Sequence, residues 1–131
     1  MESLFDDSAL PRTGGAVRPG AWHLPGWLDA AAQQWIVRRF FEWGSGPVPP
    51  HRTRINGHPM SVQSLCLGWH WSPGSYSRTA GDLGGQTVAP MENWLVRLGK
   101  QAVAEATGDP QRAQEYQPNA AIVNYYDAHA V

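Results

Sequence analysis

The chain has 131 residues and a mass of 14.4 kDa; 42% of its residues are hydrophobic, and 10 Lys and Arg against 11 Asp and Glu leave a formal charge of −1. This size predicts a single domain over 1–131, and the near-neutral charge excludes the indiscriminate attraction to phosphate backbones shown by strongly basic proteins. The single cysteine, Cys66, excludes an internal disulfide and an all-cysteine zinc site.

The N-terminus and the hydropathy pattern argue against export and membrane insertion. The opening MESLFDD is acidic and lacks the apolar run of a signal peptide, and no apolar stretch approaches the roughly 20 residues that cross a bilayer. We therefore expect a cytoplasmic protein without membrane contact. The 11 Pro and 14 Gly argue against a helical bundle, and together with 7 Trp they favour an α+β or mainly β domain.

The first third of the chain predicts an extended arm followed by one helix. Residues 1–20 are broken by prolines and glycines and indicate a loop-like arm, and residues 21–28 predict a short extended piece. Asp29 is a favourable helix N-cap, and the apolar residues of 32–43 recur at three- and four-residue spacing, which predicts one helical face. Gly44 suits the end of that helix.

The middle of the chain predicts a turn and one strand. Asn56-Gly57 is a hairpin-turn signal. Residues 60–67 predict a strand, although their alternation of apolar and polar residues is imperfect. The segment 68–77 is aromatic and rich in turn residues, and residues 79–90 show no period, which predicts a loop.

The last third predicts a second helix and a terminal strand. The helix begins near Pro90, a residue favoured at the first helical position, and ends at Gly108. Asp109-Pro110 predicts that the chain stays non-helical afterwards. Residues 119–127 are rich in β-branched and aromatic side chains and predict a strand.

No residue pattern selects a nucleophile, a phosphate loop or a metal site. His51 and His58 flank two arginines, and because cations disfavour a metal ion we expect a surface loop there. His23 and His70 each stand alone among apolar neighbours, as packed or hydrogen-bonded histidines do. None of the 5 histidines has Asp or Glu two residues later, so the His-x-carboxylate element of iron oxygenases is absent from this sequence.

The glycine-flanked aromatic segment around Trp69 is the strongest candidate for ligand contact. An exposed indole can stack on a nucleobase, and Arg52, Arg54 and Arg78 can meet phosphates. In the competing interpretation the tryptophans mostly build the core, and Trp69 is then buried and touches no ligand.

Three segments together resemble the AlkB family of Fe(II)- and 2-oxoglutarate-dependent dioxygenases: MSVQSLCLGWHWSPGSYSRT, ENWLVRLGKQAVAEA and YQPNAAIVNYYDAHA. The resemblance spans nearly the whole chain and is most specific over 117–126. It implies an α+β fold with N-terminal helices and a nucleotide-recognition lid region over 51–90. The first strands of a double-stranded β-helix (jelly-roll) follow, and this β-helix is incomplete in the chain.

The resemblance also implies roles for individual residues. Asn124 and Tyr126 match the pair that binds 2-oxoglutarate in that family, and Trp69 matches the aromatic residue that stacks on the damaged base. The residues that match the substrate-binding lid are Met60, Ser61, Val62, Trp69, Tyr76 and Arg78.

The implied activity is oxidative demethylation of N-alkylated bases in single-stranded DNA or RNA, with Fe(II) and 2-oxoglutarate as cofactors. The family's His-x-Asp iron motif would begin after Val131, so we expect a truncated chain without catalytic residues, metal ligands or activity of its own. Unpaired strand edges predict self-association. Two alternatives remain: a non-catalytic module that binds single-stranded nucleic acid, and a Trp-rich interaction domain.

Overall fold

The computed structural model describes residues 15–128 and 130; residues 1–14 of the predicted arm lie outside this range. The elements in chain order are β1 (Gly15–Arg18), β2 (Ala21–His23), α1 (Ala30–Gly44), β3 (Arg54–Ile55), β4 (His58–Pro59), β5 (Gln63–Leu67), β6 (His70–Ser72), β7 (Ser75–Ser77), β8 (Thr79–Ala80), a 3-10 turn (Gly81–Leu83), β9 (Gln86–Thr87), α2 (Asn93–Thr107), α3 (Pro110–Glu115) and β10 (Ala121–Tyr125). The predicted α+β class is confirmed. The described strands pair into two-stranded sheets, and none of them closes a barrel.

The first helix forms as its sequence predicts. The Asp29 side chain accepts a hydrogen bond from the Ala32 amide at 2.7 Å, which satisfies one of the unpaired donors of the first turn. Phe40 of α1 stacks on Tyr125 of β10, with ring centres 5.6 Å apart and planes 7° apart. This contact fixes α1 against the terminal strand.

The second predicted helix, α2, is confirmed and ends at Gly108 with φ 65°, but it begins at Asn93, three residues after Pro90. The helix α3 was not expected. Asp109 accepts hydrogen bonds from the amides of Gln111 at 3.0 Å and Arg112 at 3.3 Å, and Pro110 occupies the first helical turn. The residues that keep α2 from continuing therefore start a new short helix. Within the described residues no helix is long and apolar enough to cross a membrane.

The longest ladder pairs β5 with β10 in antiparallel register, from Ala121 opposite Leu67 to Tyr125 opposite Gln63. Both predicted strands are confirmed with shorter bounds. Leu65, Cys66 and Leu67 are 1%, 3% and 0% exposed. Because successive residues point to opposite faces, β5 is covered on both faces, which explains its imperfect alternation of apolar and polar residues.

Short hairpins surround this ladder. Asn56 and Gly57 have φ of 53° and 80°, the positive values of a two-residue hairpin turn, so the predicted turn is confirmed between β3 and β4. Two predictions of irregular structure were wrong in part: β1 lies in the predicted arm, and β8 and β9 lie in the predicted loop 79–90. Strands of two to four residues are too short to show a periodic side-chain pattern.

A tryptophan cluster joins α1 to the start of α2. Trp43 and Trp94 stack with ring centres 5.9 Å apart, and Trp35 meets Trp94 edge-on at 4.7 Å. Both indole N–H groups of the stacked pair donate to one carboxylate oxygen of Glu92, at 2.7 Å from Trp43 and 3.1 Å from Trp94. None of the seven tryptophans is fully buried. The three indoles of this cluster pack between α1 and α2 rather than in a central core.

Candidate functional site

The half-buried indole of Trp69 is held where β5 ends. Gly68 turns the chain with φ +77° and donates its amide to the Ala89 carbonyl at 2.8 Å. Arg78 donates from Nη1 to the Gly68 carbonyl at 2.5 Å, and its guanidinium carbon lies 4.0 Å from the centre of the Trp69 ring. A cation over an aromatic face is attracted by the ring electrons. One face of the half-buried indole is therefore covered by the guanidinium.

The other residues predicted for the lid differ in exposure. Tyr76 lies in β7 opposite Trp71 and is 64% exposed. Met60 and Ser61 are half-buried, whereas Val62 is 7% exposed. Of these residues, Tyr76 is open to solvent, whereas Val62 is buried.

The arginines predicted to meet phosphates have protein partners. Arg52 pairs with Asp127 at 3.0 Å and also donates to the Ser61 carbonyl. Arg54 donates to the Gly57 carbonyl at 2.7 Å across its hairpin turn. Arg78 is therefore the cation in contact with the Trp69 ring, and Arg52 ties the lid region to the end of β10.

The residues predicted to bind 2-oxoglutarate lie at the end of β10. Asn124 pairs with Ser64 in the ladder, and the Ser64 hydroxyl donates to Asn124 Oδ1 at 3.0 Å. This bond directs the amide N–H₂ donors of Asn124 away from Ser64. Asn124 is exposed, and Tyr126 is 65% exposed. The pair therefore offers exposed hydrogen-bond donors at this end of the strand.

The ladder register separates these residues from the indole. Trp69 lies two residues beyond Leu67, the last residue of β5, whereas Asn124 pairs with Ser64 near the other end. At about 3.4 Å per residue this separation amounts to at most roughly 17 Å along the strand. In the described part of the chain, no hydrogen bond or ring contact joins Trp69 to Asn124 or Tyr126. The two predicted binding positions therefore lie toward opposite ends of one two-stranded ribbon.

The structure also assembles a polar cluster that the sequence did not reveal. His51, His70 and Asp82 each bring one potential ligand atom within 4.8 Å of the other two. His70 is 2% exposed and its Nε2 lies 2.7 Å from Asp82 Oδ1, which confirms it as a packed and hydrogen-bonded histidine. The expectation of a surface loop does not describe His51, which is half-buried with its ring centre 5.4 Å from that of His70. The three residues belong to separate segments, so their spacing gave no signal.

Cys66 lies beside this cluster and is not a reactive nucleophile. Burial raises the pKa of its thiol, the Trp71 amide that donates to Sγ at 3.4 Å lowers it, and the negative charge of Asp82 raises it further. The balance is a raised pKa, so the thiol stays protonated at neutral pH. Because the thiolate is the reactive form, Cys66 is a weak nucleophile in the folded chain at neutral pH.

The cluster does not have the residue spacing of the iron motif of the family that the sequence resembles. That family's motif needs a carboxylate two residues after a histidine, and none of the 5 histidines has one. The cluster of His51, His70 and Asp82 draws its members from three separate segments, so it is a different arrangement.

Comparisons with known proteins agree with this geometry. The model of the 2OG-Fe(II) oxygenase superfamily matches residues 20–130. No curated protein matches the chain. The solved structure of OsALKBH1 is similar to the chain, with a TM-score of 0.61 and 27% sequence identity over 79% of this chain and 50% of OsALKBH1. The chain thus spans about half the length of that relative. By the extent of the family match and the likeness to OsALKBH1, the chain belongs to the 2OG-Fe(II) oxygenase superfamily and is of the AlkB type.

Proposed function

We propose that this chain is part of an enzyme that oxidatively removes alkyl groups from nitrogen atoms of DNA or RNA bases. Its own contribution is to hold the base and the cosubstrate. The observation that carries the proposal is the pairing of Trp69 with Arg78, which presents a flat π surface beside a cation at 4.0 Å. Membership of the AlkB type supports the same assignment.

An aromatic ring and a guanidinium are the two kinds of side chain that bind a nucleobase and its phosphate. Every base has a π face that an indole can stack on, whatever the sequence, and a guanidinium binds phosphate oxygens through paired N–H donors. An enzyme that reacts with a base must first take it out of its stack, and an aromatic platform offsets part of the lost stacking. Tyr76, which is 64% exposed, offers a second aromatic surface at the same lid.

The cosubstrate would bind at the other end of the ribbon. Asn124 Nδ2 and the Tyr126 hydroxyl donate hydrogen bonds to a 2-oxoglutarate carboxylate, since Asn124 Oδ1 is already satisfied by Ser64. Calorimetric titration with 2-oxoglutarate tests this assignment. We expect Asn124→Asp, which removes the donors and adds a repelling charge, to weaken binding about tenfold or more. The same change at exposed Asn93 should have no effect; equal affinities of both variants would remove Asn124 from the site.

The superfamily uses iron with 2-oxoglutarate for its oxidation, and this chain lacks the His-x-carboxylate pair, so no step through iron is assigned to its residues. We therefore propose that the chain alone does not demethylate. In a mixture with Fe(II), 2-oxoglutarate and an N-methylated oligonucleotide, succinate should stay at background. Turnover above background would place a working iron site among these residues.

The nucleic-acid assignment is tested by salt-dependent binding. Fluorescence anisotropy of a labelled single-stranded oligonucleotide with one N-methylated base should show affinity that falls with salt. Arg78→Gln should weaken binding and lower the slope of log affinity against log salt by about 1, because one phosphate contact is lost. Arg97→Gln, an exposed arginine on α2, is the matched control. An unchanged slope in Arg78→Gln, with an unchanged melting temperature, would contradict the assignment.

A binding module without catalysis is the second candidate, favoured by the Trp69–Arg78 pair on a chain whose sequence has no His-x-carboxylate pair. Such a module would bind methylated and unmethylated oligonucleotides equally, and 2-oxoglutarate would not affect it. Preference for the methylated base separates the enzyme from this alternative.

A further inference from the structure

Unsatisfied buried polar atoms are concentrated at the cluster of His51 and His70. In the described part of the chain, four buried side-chain atoms lack a hydrogen-bond partner: His51 Nε2, Thr53 Oγ1, His70 Nδ1 and Arg39 Nε. Two of them belong to the histidines whose ring centres are 5.4 Å apart, and a third lies two residues from His51. Buried polar groups are nearly always paired, so this concentration suggests a missing partner.

In the neutral form of each ring, the existing hydrogen bonds assign the tautomers of the two histidines. His51 Nδ1 lies 3.2 Å from the Pro49 carbonyl, which can only accept, so Nδ1 is the N–H and Nε2 carries a lone pair. His70 Nε2 lies 2.7 Å from an Asp82 carboxylate oxygen, which also accepts. His70 Nδ1 therefore carries a lone pair as well. Both unpartnered nitrogens are therefore acceptors. Neither histidine has an N–H left to donate to the other.

This arrangement is the one that metal-binding histidines have. One ring nitrogen donates to a carbonyl or a carboxylate, which sets the tautomer and the ring orientation, and the other nitrogen faces the ion. Pro49 and Asp82 supply these two outer partners. Imidazole nitrogens suit zinc and other divalent ions of the later first transition series, whereas calcium and magnesium prefer oxygen.

We propose that His51 Nε2 and His70 Nδ1 bind a divalent transition-metal ion of the zinc class, with Asp82 holding His70 from outside. Two nitrogens on one tetrahedral zinc ion lie about 3.4 Å apart, and the potential ligand atoms of the cluster lie within 4.8 Å of one another. The Asp82 side chain, which bonds to His70 at 2.7 Å, is 38% exposed, so one side of the cluster faces solvent.

The ion would connect segments that have little stability on their own. His51 precedes β3, His70 begins β6 and Asp82 lies in the 3-10 turn after β8. Two-stranded hairpins this short are marginally stable in water. His70 also directly follows Trp69, so the ion would stiffen the base of the lid region. The site does not depend on the proposed demethylation, because its ligands are not the family's iron ligands.

Titration of the chelator-stripped full chain with Zn²⁺ and Co²⁺ tests the proposal. Calorimetry should find one ion per chain bound by the cluster, and Co²⁺ should give the visible absorption of a cobalt–imidazole complex. His51→Gln and His70→Gln should each lower affinity at least tenfold, and Asp82→Asn about 10- to 100-fold. At a hundredfold excess over Kd, Zn²⁺ should raise the melting temperature by about 10 °C, and this rise should vanish in His51→Gln.

His23→Gln and His58→Gln, which change exposed histidines of β2 and β4, are the matched controls and should bind like the parent. If the variant His70→Gln of this buried residue does not fold, His51→Gln tests the proposal, because His51 is half-exposed. The proposal is overturned if no ion binds, if binding survives His51→Gln, or if the control variants lose it equally.

Discussion

Gly68 lies so close to Asn119 that a Cβ built on Gly68 would stand 2.2 Å from the Asn119 carbonyl oxygen. Gly68 also has φ +77°, a conformation that only glycine adopts readily. This contact brings together two sequence landmarks, Leu-Gly-Trp and Gln-Pro-Asn, that are about fifty residues apart in the chain. It also fixes the position of Trp69, which lies just beyond the end of the β5–β10 ladder.

We expect Gly68→Ala to lower the free energy of unfolding by about 2–5 kcal/mol, from backbone strain together with the steric clash. Gly74 is the matched control, because it has the same φ of +77° and no atom within 4 Å of an added Cβ. Gly74→Ala should cost only about 1–2 kcal/mol. Urea unfolding measures both values; equal losses would show that the Asn119 contact is unimportant.

Glu92 should be a main support of the tryptophan cluster, since one of its oxygens accepts from both Trp43 and Trp94. Glu92→Gln removes the charge and should destabilise the protein by about 1.5–3 kcal/mol, the range for hydrogen bonds to charged groups. The same substitution at exposed Glu105 of α2 should change stability by less than about 0.5 kcal/mol. Urea midpoints followed by tryptophan fluorescence compare the two variants, and similar midpoints would contradict the role of Glu92.

Cys66 should react with alkylating agents only at raised pH. Burial and the charge of Asp82 raise the pKa of its thiol, so the midpoint of the rate–pH profile should lie above that of the urea-unfolded chain. A pKa raised by folding stabilises the native state below the unfolded thiol pKa, and this stabilisation is lost as pH rises through the folded value. Parent stability should therefore fall with alkaline pH more than that of Cys66→Ser. A native thiol that reacts at lower pH than the unfolded one would contradict this account.

The free edge of β10 should cause self-association. Ile122 is 46% exposed on this strand, which pairs only with β5 among the described strands. A lysine on an edge strand opposes pairing with another chain, so Ile122→Lys should shift the concentration-dependent mass in light scattering toward monomer. Val37→Lys changes a residue of α1 that is 53% exposed and is the matched control. A monomeric parent at all concentrations would contradict the prediction.

Local signals explain which elements could be predicted from the sequence. The helix α1 has its own N-cap and apolar spacing, α2 has its Gly108 stop, and β10 has a dense run of β-branched and aromatic residues. The sequence did not predict α3, because its N-cap Asp109 and the following Pro110 are also residues that end a preceding helix.

The candidate site also has a part that local sequence signals predict and a part that they do not. Gly68 and Trp69 form a contiguous motif, so this part was visible in the sequence. The cluster of His51, His70 and Asp82 was not, because it exists only through tertiary packing of three segments. The choice between a core role and a ligand role for Trp69 was also open, and its half-buried position with one face against Arg78 depends on that packing.

Quenching of intrinsic fluorescence by a single-stranded oligonucleotide with one N-methylated base measures whether Trp69 stacks on that base. The chain should bind it more tightly than the unmethylated strand, and Trp69→Ala should weaken binding by about 1–3 kcal/mol, the range for loss of one base–aromatic stack. Trp22→Ala, which removes an indole that is 38% exposed on β2, should bind like the parent. If Trp69→Ala binds as well as Trp22→Ala, the indole at the end of β5 is not the base platform and the account fails.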